Sequence, residues 1–186
     1  LGDPKQISSM FQTIKEEFGT LDILINNAAS GVNRPGIELN EKHFDWTLNT
    51  NLKGPWLSIK EAVPIMNPGG RIINVTSLGS QRVLRNYTSV GISKAALEAL
   101  TRYMAIELAP RGINVNAISP GYINTDALSH FPNEEQMIRD ATAITPNKQI
   151  LTAEDIGKVV LFLATDDASM IRGQVIIVDG GMSLIN

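Results

Sequence analysis

The sequence predicts an α/β fold, a doubly wound parallel sheet in a single domain spanning residues 1–186, and three observations carry that prediction. Short apolar segments of strand length alternate with longer amphipathic segments of helical period along the whole chain. Three of the apolar segments run into polar or turn-forming residues, at Asn26-Asn27, Ser77 and Pro120-Gly121. In such sheets those strand ends line one ligand crevice. No linker, repeat or low-complexity stretch interrupts the pattern. The 186 residues, 43% hydrophobic and 19% charged, match an ordinary globular domain with a sizeable core. Strands that alternate with helices form a parallel sheet covered on both faces, joined by right-handed crossovers.

Each element has its own signal. Asp3-Pro4 opens a helix, with Pro where the N–H would be unpaired anyway, and Phe11, Ile14 and Phe18 mark an apolar face that Gly19 ends. Leu21 to Ile25 reads as a strand stopped by Asn26-Asn27, and Glu41 to Met66 as a long helix kinked at Pro55. Arg71 to Thr76 is a strand running into Ser77. Ser89 to Leu108 is a periodic helix closed by Pro110 and Gly112, and Ile113 to Ile118 is a third strand. Residues 122–147 form a long, partly helical excursion rather than a sheet element, with the mixed polar composition of a loop over a substrate crevice. Thr152 to Asp155 has the pattern of a capping box, opening a helix that turns Ile156, Val159, Val160, Phe162 and Leu163 inward. Gln174 to Val178 is the last strand, ended by Asp179-Gly180-Gly181.

Composition excludes several functions. A net charge of −3, from 16 Lys and Arg against 19 Asp and Glu, offers no basic field for nucleic acid. The absence of cysteine removes disulfide scaffolds, thiolate zinc sites and a thiol nucleophile, and fits a reducing compartment. No apolar run approaches the roughly 20 residues that span a bilayer, and no signal-peptide core opens the sequence. The expected setting is soluble and cytoplasmic. His43 and His130 lie in different elements without a partner at ligand spacing, so no metal site is expected. A dinucleotide-binding sheet normally opens with a strand, a glycine-rich turn and a helix. Here Gly69-Gly70 precedes a strand and Gly180-Gly181 follows one. The expectation is that a first half-sheet of roughly 60 residues, at about 30 per βαβ unit, lies outside this sequence. The chain would then be the C-terminal three quarters of the domain, with a natural fragment as the alternative.

Six short motifs in order now point to a family. Asn26-Asn27-Ala28-Ala29, Asn51 in Asn49 to Gly54, Ser77 after Asn74-Val75-Thr76, Ser93 to Leu97, Pro120-Gly121 and Val178 to Gly181 resemble the short-chain dehydrogenase/reductases, a Rossmann-like family. That family places its catalytic Tyr four residues before the Lys, where this sequence has Val90 before Lys94. Valine cannot donate a proton. Tyr87 stands seven residues before Lys94. Steps of about 100° put both spacings on one helix face, and the axial separation grows from about 6 Å to about 10.5 Å. Tyr87 then sits at or before the helix start. This spacing resembles the enoyl-acyl carrier protein reductases of the family. The segments Asn86 to Lys94, Ala28 to Val32, Ser129 to Asn133 and Met170 to Gln174 are similar to the type III bacterial branch.

The resemblance implies reduction of an enoyl-acyl carrier protein thioester by NADPH, in preference to NADH, in fatty-acid biosynthesis. Hydride at the β-carbon leaves charge on the thioester oxygen, which a positioned phenol stabilises. By resemblance Tyr87 is that phenol, and Lys94 supports it while gripping the nicotinamide ribose. Ser77 aligns with the family's carbonyl-orienting serine, though a strand-end hydroxyl satisfying local backbone is an equal reading. Asn51 aligns with a helix Asn that supports a water linked to the Lys, and a buried structural amide is an equal reading there. Asn27 and Ala28 line the cofactor ribose, and Ile123 and Thr125 hold the carboxamide. Asn26 stitches neighbouring strands. Trp46, Trp56 and Tyr103 are expected in the core or a subunit interface, and the resemblance implies a homotetramer. The alternatives are a ketoacyl or other carbonyl reductase, or a non-catalytic fragment serving as a subunit.

Overall fold

A computed structural model describes residues 2–124 and 134–185. Its elements are α1 (Pro4–Phe18), β1 (Leu21–Asn26), α2 (Glu41–Leu48), α3 (Gly54–Ala62), β2 (Met66–Val75), α4 (Thr88–Glu107), β3 (Asn114–Pro120), β4 (Ile123–Asn124), α5 (Glu134–Ile144), β5 (Leu151–Thr152), α6 (Ala153–Ala164) and β6 (Val175–Val178). Among the described residues β1, β2, β3 and β6 form a parallel sheet in that order, and β4 pairs with β5.

Local signals account for the element ends. Asp3 accepts the Lys5 N–H at 2.9 Å, and Gly19 ends α1 at φ 77°, a value costly for residues with a Cβ. Thr152 and Asp155 form the reciprocal capping box that opens α6. The stretch from Glu41 onward is helical as far as Ile65, but it is not one α-helix. A wider π-helical turn over Asn49–Lys53 separates α2 from α3, so the irregularity precedes Pro55, which sits in the first turn of α3.

Successive strand residues face opposite sides of the sheet, and the core divides accordingly. Ile72 and Val115 join Ile7 and Phe11 of α1 and Ile59 of α3 on one face. Ile73 and Ile118 join Ile156 and Leu163 of α6 on the other. Two expected inward residues point out instead. Phe18 is 72% exposed in the last turn of α1, and Phe162 lies on the outer flank of α6. Trp46, Trp56 and Tyr103 are exposed rather than core. The excursion expected at 122–147 contains sheet after all, since Ile123 and Asn124 pair with Leu151 and Thr152; it also carries α5. β3 is buried throughout, and its asparagines anchor the loop that leads into β6, through Asn114 Nδ2 and Asn116 Nδ2 to the Ile171 carbonyl, at 2.8 and 2.6 Å. No helix among the described residues is long and apolar enough to cross a membrane.

Candidate active site

The site is built where β2 gives out. Ser77, two residues past Val75, has extended backbone, and its Oγ accepts the Gly79 N–H at 3.2 Å, starting a short 3-10 turn over Leu78–Ser80. The chain then reaches Asn86, whose φ of 61° is left-handed, a region asparagine tolerates better than most residues. That reversal delivers Tyr87 to the N-cap of α4, where the seven-residue spacing places it. The Tyr87 hydroxyl donates to Ser77 Oγ at 3.4 Å, the long end of a hydrogen bond. Gly79 permits this approach. A Cβ there would stand 2.5 Å from Tyr87 Cε1. Tyr87 also forms one wall of a cleft of about 320 Å³ lined by Arg82, Leu84 and Ile92.

Lys94, two turns along α4, is buried, and its Nζ donates to the Val75 carbonyl at 2.7 Å. Burial pushes the ammonium down from 10.5 to about 8, because desolvation penalises the charged form. The tripeptide Val75-Thr76-Ser77 therefore holds Lys94 at one end and Tyr87 at the other, so the structure brings Tyr87, Ser77 and Lys94 together. Among the described residues Nζ makes that one hydrogen bond, which leaves two of its three N–H groups free for a ligand's hydroxyls. A buried ammonium with unused donors at the carboxyl edge of a parallel sheet fits the sugar of a nicotinamide cofactor. Asn27 and Ala28, exposed just past β1, fit the same group.

Asn51 lies on the π-helical turn, fully buried, and its amide is committed. Nδ2 donates to the Ser30 carbonyl at 2.8 Å and to Ser93 Oγ at 3.0 Å, while Oδ1 accepts the Ser30 N–H at 2.8 Å. These bonds clamp the segment after β1 to α4. Asn26 donates to Asn74 Oδ1 at 2.8 Å, joining β1 to β2 as its motif position predicts. Ile123 is half-buried on β4, whereas Thr125 and His130 lie outside the described residues, as does the middle of the 122–147 segment. Val90 is buried against Gly31, where a Cβ would stand 2.2 Å from Val90 Cγ2. Among the described residues no group of His, Cys, Asp or Glu is arranged to hold a metal.

Sequence reasoning missed two participants. Ser30 serves through its backbone, which no residue type announces. Glu98 is buried one turn past Lys94, and its signal was available. It falls between Lys94 and Thr101 on the face that Leu97 also buries, where an unpaired acid is unexpected.

Comparison with known proteins agrees with this geometry. The family described as enoyl-(acyl carrier protein) reductase matches residues 1–183. A 1-cyclohexenylcarbonyl-CoA reductase of Streptomyces collinus is 36% identical over 96% of this chain and 65% of its own length. An NADH enoyl-(acyl-carrier-protein) reductase of Synechocystis is 35% identical over 98% of this chain and 72% of its own. The crystal structure of an NADH enoyl-(acyl-carrier-protein) reductase from Aquifex aeolicus superposes with a TM-score of 0.92 at 27% identity, covering 100% of this chain and 74% of that one. The chain thus spans about two thirds to three quarters of the length of these proteins. By sequence and fold, the chain belongs to the short-chain dehydrogenase/reductases and, among them, to the enoyl-(acyl carrier protein) reductase family.

Proposed function

We propose that this chain reduces the double bond of an enoyl-acyl carrier protein thioester in fatty-acid biosynthesis, with NADPH as the hydride source. One observation carries the reading. The phenol beside Ser77 is Tyr87, seven residues before Lys94, while the position four before it is a buried valine packed on Gly31.

When bound, the reduced nicotinamide supplies hydride for the β-carbon. The chain's own residues handle the charge and the proton. The Tyr87 hydroxyl passes its proton to the enolate oxygen left by hydride addition, and solvent returns one to the phenolate. The enol then tautomerises to the saturated thioester. Tyr87 hydrogen-bonds the thioester oxygen as negative charge develops there, and Ser77 orients its hydroxyl. Lys94, held by Val75, stabilises that charge through its ammonium and offers its remaining N–H groups to the ribose. Asn27 and Ala28 line the ribose, Ile123 and Thr125 hold the carboxamide, and Asn51 fixes Ser30 beside them. Residues 122–147 serve as the substrate loop of this single domain. A homotetramer in the cytoplasm completes the reading, and the apolar outer side of α4, with Tyr103 and Ile106 about three quarters exposed, supports a subunit contact there.

The test is a four-way assay of the full-length protein with crotonyl and acetoacetyl thioesters, each with NADPH and NADH. Crotonyl reduction with NADPH is expected to dominate. Faster acetoacetyl reduction would make it a carbonyl reductase, dominance of NADH would overturn the cofactor assignment, and turnover of neither substrate would favour a non-catalytic subunit. The Synechocystis and Aquifex proteins carry NADH in their names, which is why both cofactors are compared.

A further inference from the structure

Glu98 is a buried carboxylate that the chemistry above does not use. It sits on α4 one turn beyond Lys94, only 5% exposed, and no described Lys or Arg forms a salt bridge with it. An acid in that position is retained only if hydrogen bonds replace its water. They come from one short stretch of chain. Glu98 Oε1 accepts from the Thr76 hydroxyl at 3.1 Å and from the Ser80 hydroxyl, and Oε2 accepts from Gln81 Nε2 at 3.2 Å. These donors flank Ser77 and the 3-10 turn on which Gly79 presses against the Tyr87 ring. The Thr76 hydroxyl also lies 3.3 Å from the Lys94 carbonyl, tying the same stretch to the helix that carries the ammonium.

We propose that Glu98 is a positioning residue, holding the Thr76–Gln81 turn against α4 so that Gly79 and Ser77 fix the ring and hydroxyl of Tyr87. The role rests on the reading of Tyr87 as the proton-bearing group, but the placement of the ring can be measured without turnover. Glu98 never meets substrate. Its two oxygens tie both sides of Ser77 to a rigid helix, whereas an apolar side chain of similar size would leave the Ser80 hydroxyl without its acceptor and the Thr76 hydroxyl with the Lys94 carbonyl alone.

The experiment labels the full-length protein with 3-fluorotyrosine and follows Tyr87, Tyr103 and Tyr122 by 19F NMR, each assigned through its Tyr→Phe variant. Glu98→Gln keeps one acceptor oxygen for the two hydroxyls, and the Gln81 amide can turn to meet the new NH₂. It is expected to leave the Tyr87 resonance in place and kcat within about threefold, as one retained acceptor implies. Glu98→Leu is expected to shift or broaden the Tyr87 resonance while Tyr103 and Tyr122 stay put. It should also lower kcat by about tenfold or more with cofactor affinity unchanged. Should Glu98→Leu fail to fold, Ser80→Ala removes one donor from the partly exposed turn and is expected to move the same resonance. An unmoved Tyr87 resonance in folded Glu98→Leu or Ser80→Ala would overturn the proposal, as would a uniform change at all three tyrosines. Failure of the enoyl reductase reading would instead show as absent crotonyl reduction by the parent.

Discussion

Lys94 Nζ donates to the Val75 carbonyl at 2.7 Å, and Ser77, two residues beyond Val75, receives the Tyr87 hydroxyl. A phenol and an ammonium seven residues apart, at the head of α4 and within it, are thereby fixed against a single strand end. The arrangement spends stability on an ammonium buried with one described protein partner, which is why its proton is held less tightly than on an exposed lysine.

Lys94→Met should expose that cost. Below about pH 8 the folded and unfolded chains both carry the proton, and the folded one bears the whole burial penalty. Between about 8 and the ordinary value of 10.5 the unfolded chain binds the proton and the folded chain does not, so the parent gains stability as pH rises. The variant lacks this gain. At about 1.36 kcal/mol per pH unit, it is expected to exceed the parent at pH 7 by up to roughly 3 kcal/mol, with the two converging above pH 10. Denaturant unfolding of both proteins across this range checks it. The same variant should lose NADPH affinity and turnover together, and the parent's kcat/KM should fall above about pH 8 as Lys94 loses its charge. Unchanged NADPH affinity in Lys94→Met would make Lys94 a bystander.

Val90→Tyr tests whether the seven-residue spacing is a complete site or a damaged one. Val90 packs so closely on Gly31 that even a methyl on the glycine would collide. A phenol at 90 therefore overpacks a buried seam, at a cost of about 1–3 kcal/mol. Crotonyl reduction is expected to fall, and acetoacetyl reduction to stay far below that of an ordinary carbonyl reductase. The added ring sits about 4.5 Å further along the helix axis and addresses a different oxygen. A strong gain of acetoacetyl reduction without loss of crotonyl reduction would show that Tyr87 is not the working donor.

Asn51→Leu should behave as a loss of clamping. Three hydrogen bonds join Asn51 to Ser30 and Ser93, and leucine leaves the Ser30 backbone groups without them. A destabilisation of about 2 kcal/mol or more is expected, read by thermal or chemical unfolding. NADPH affinity should fall with it, because Ser30 follows the exposed Asn27-Ala28 segment. A variant as stable as the parent would contradict the clamp.

These contrasts show which features were legible before the structure. Strand ends announce themselves through residue type, so Asn26-Asn27, Ser77 and Pro120-Gly121 were placed correctly at the carboxyl edge. The position of Tyr87 at the head of α4 follows from helical arithmetic alone. The π-helical turn at Asn49–Lys53 was not legible, because its cause is tertiary: Asn51 is drawn to Ser30 and Ser93, and Pro55 drew attention to the wrong residue. The pairing of Ile123 and Asn124 with Leu151 and Thr152 was hidden for a related reason, since two residues are too few to show a period. Glu98 is masked in the sequence because an acid four residues after a lysine looks like a solvated helix pair, even though it falls on the face that Leu97 buries.

The most direct test of the central assignment is turnover of a crotonyl thioester with NADPH by the parent and by Tyr87→Phe, with cofactor affinity measured alongside. The substitution keeps the ring that Gly79 supports and removes only the hydroxyl that meets Ser77. Loss of one preorganised donor is expected to lower kcat by about 10²–10³ with NADPH affinity unchanged. Near-parental crotonyl reduction by Tyr87→Phe would contradict the account.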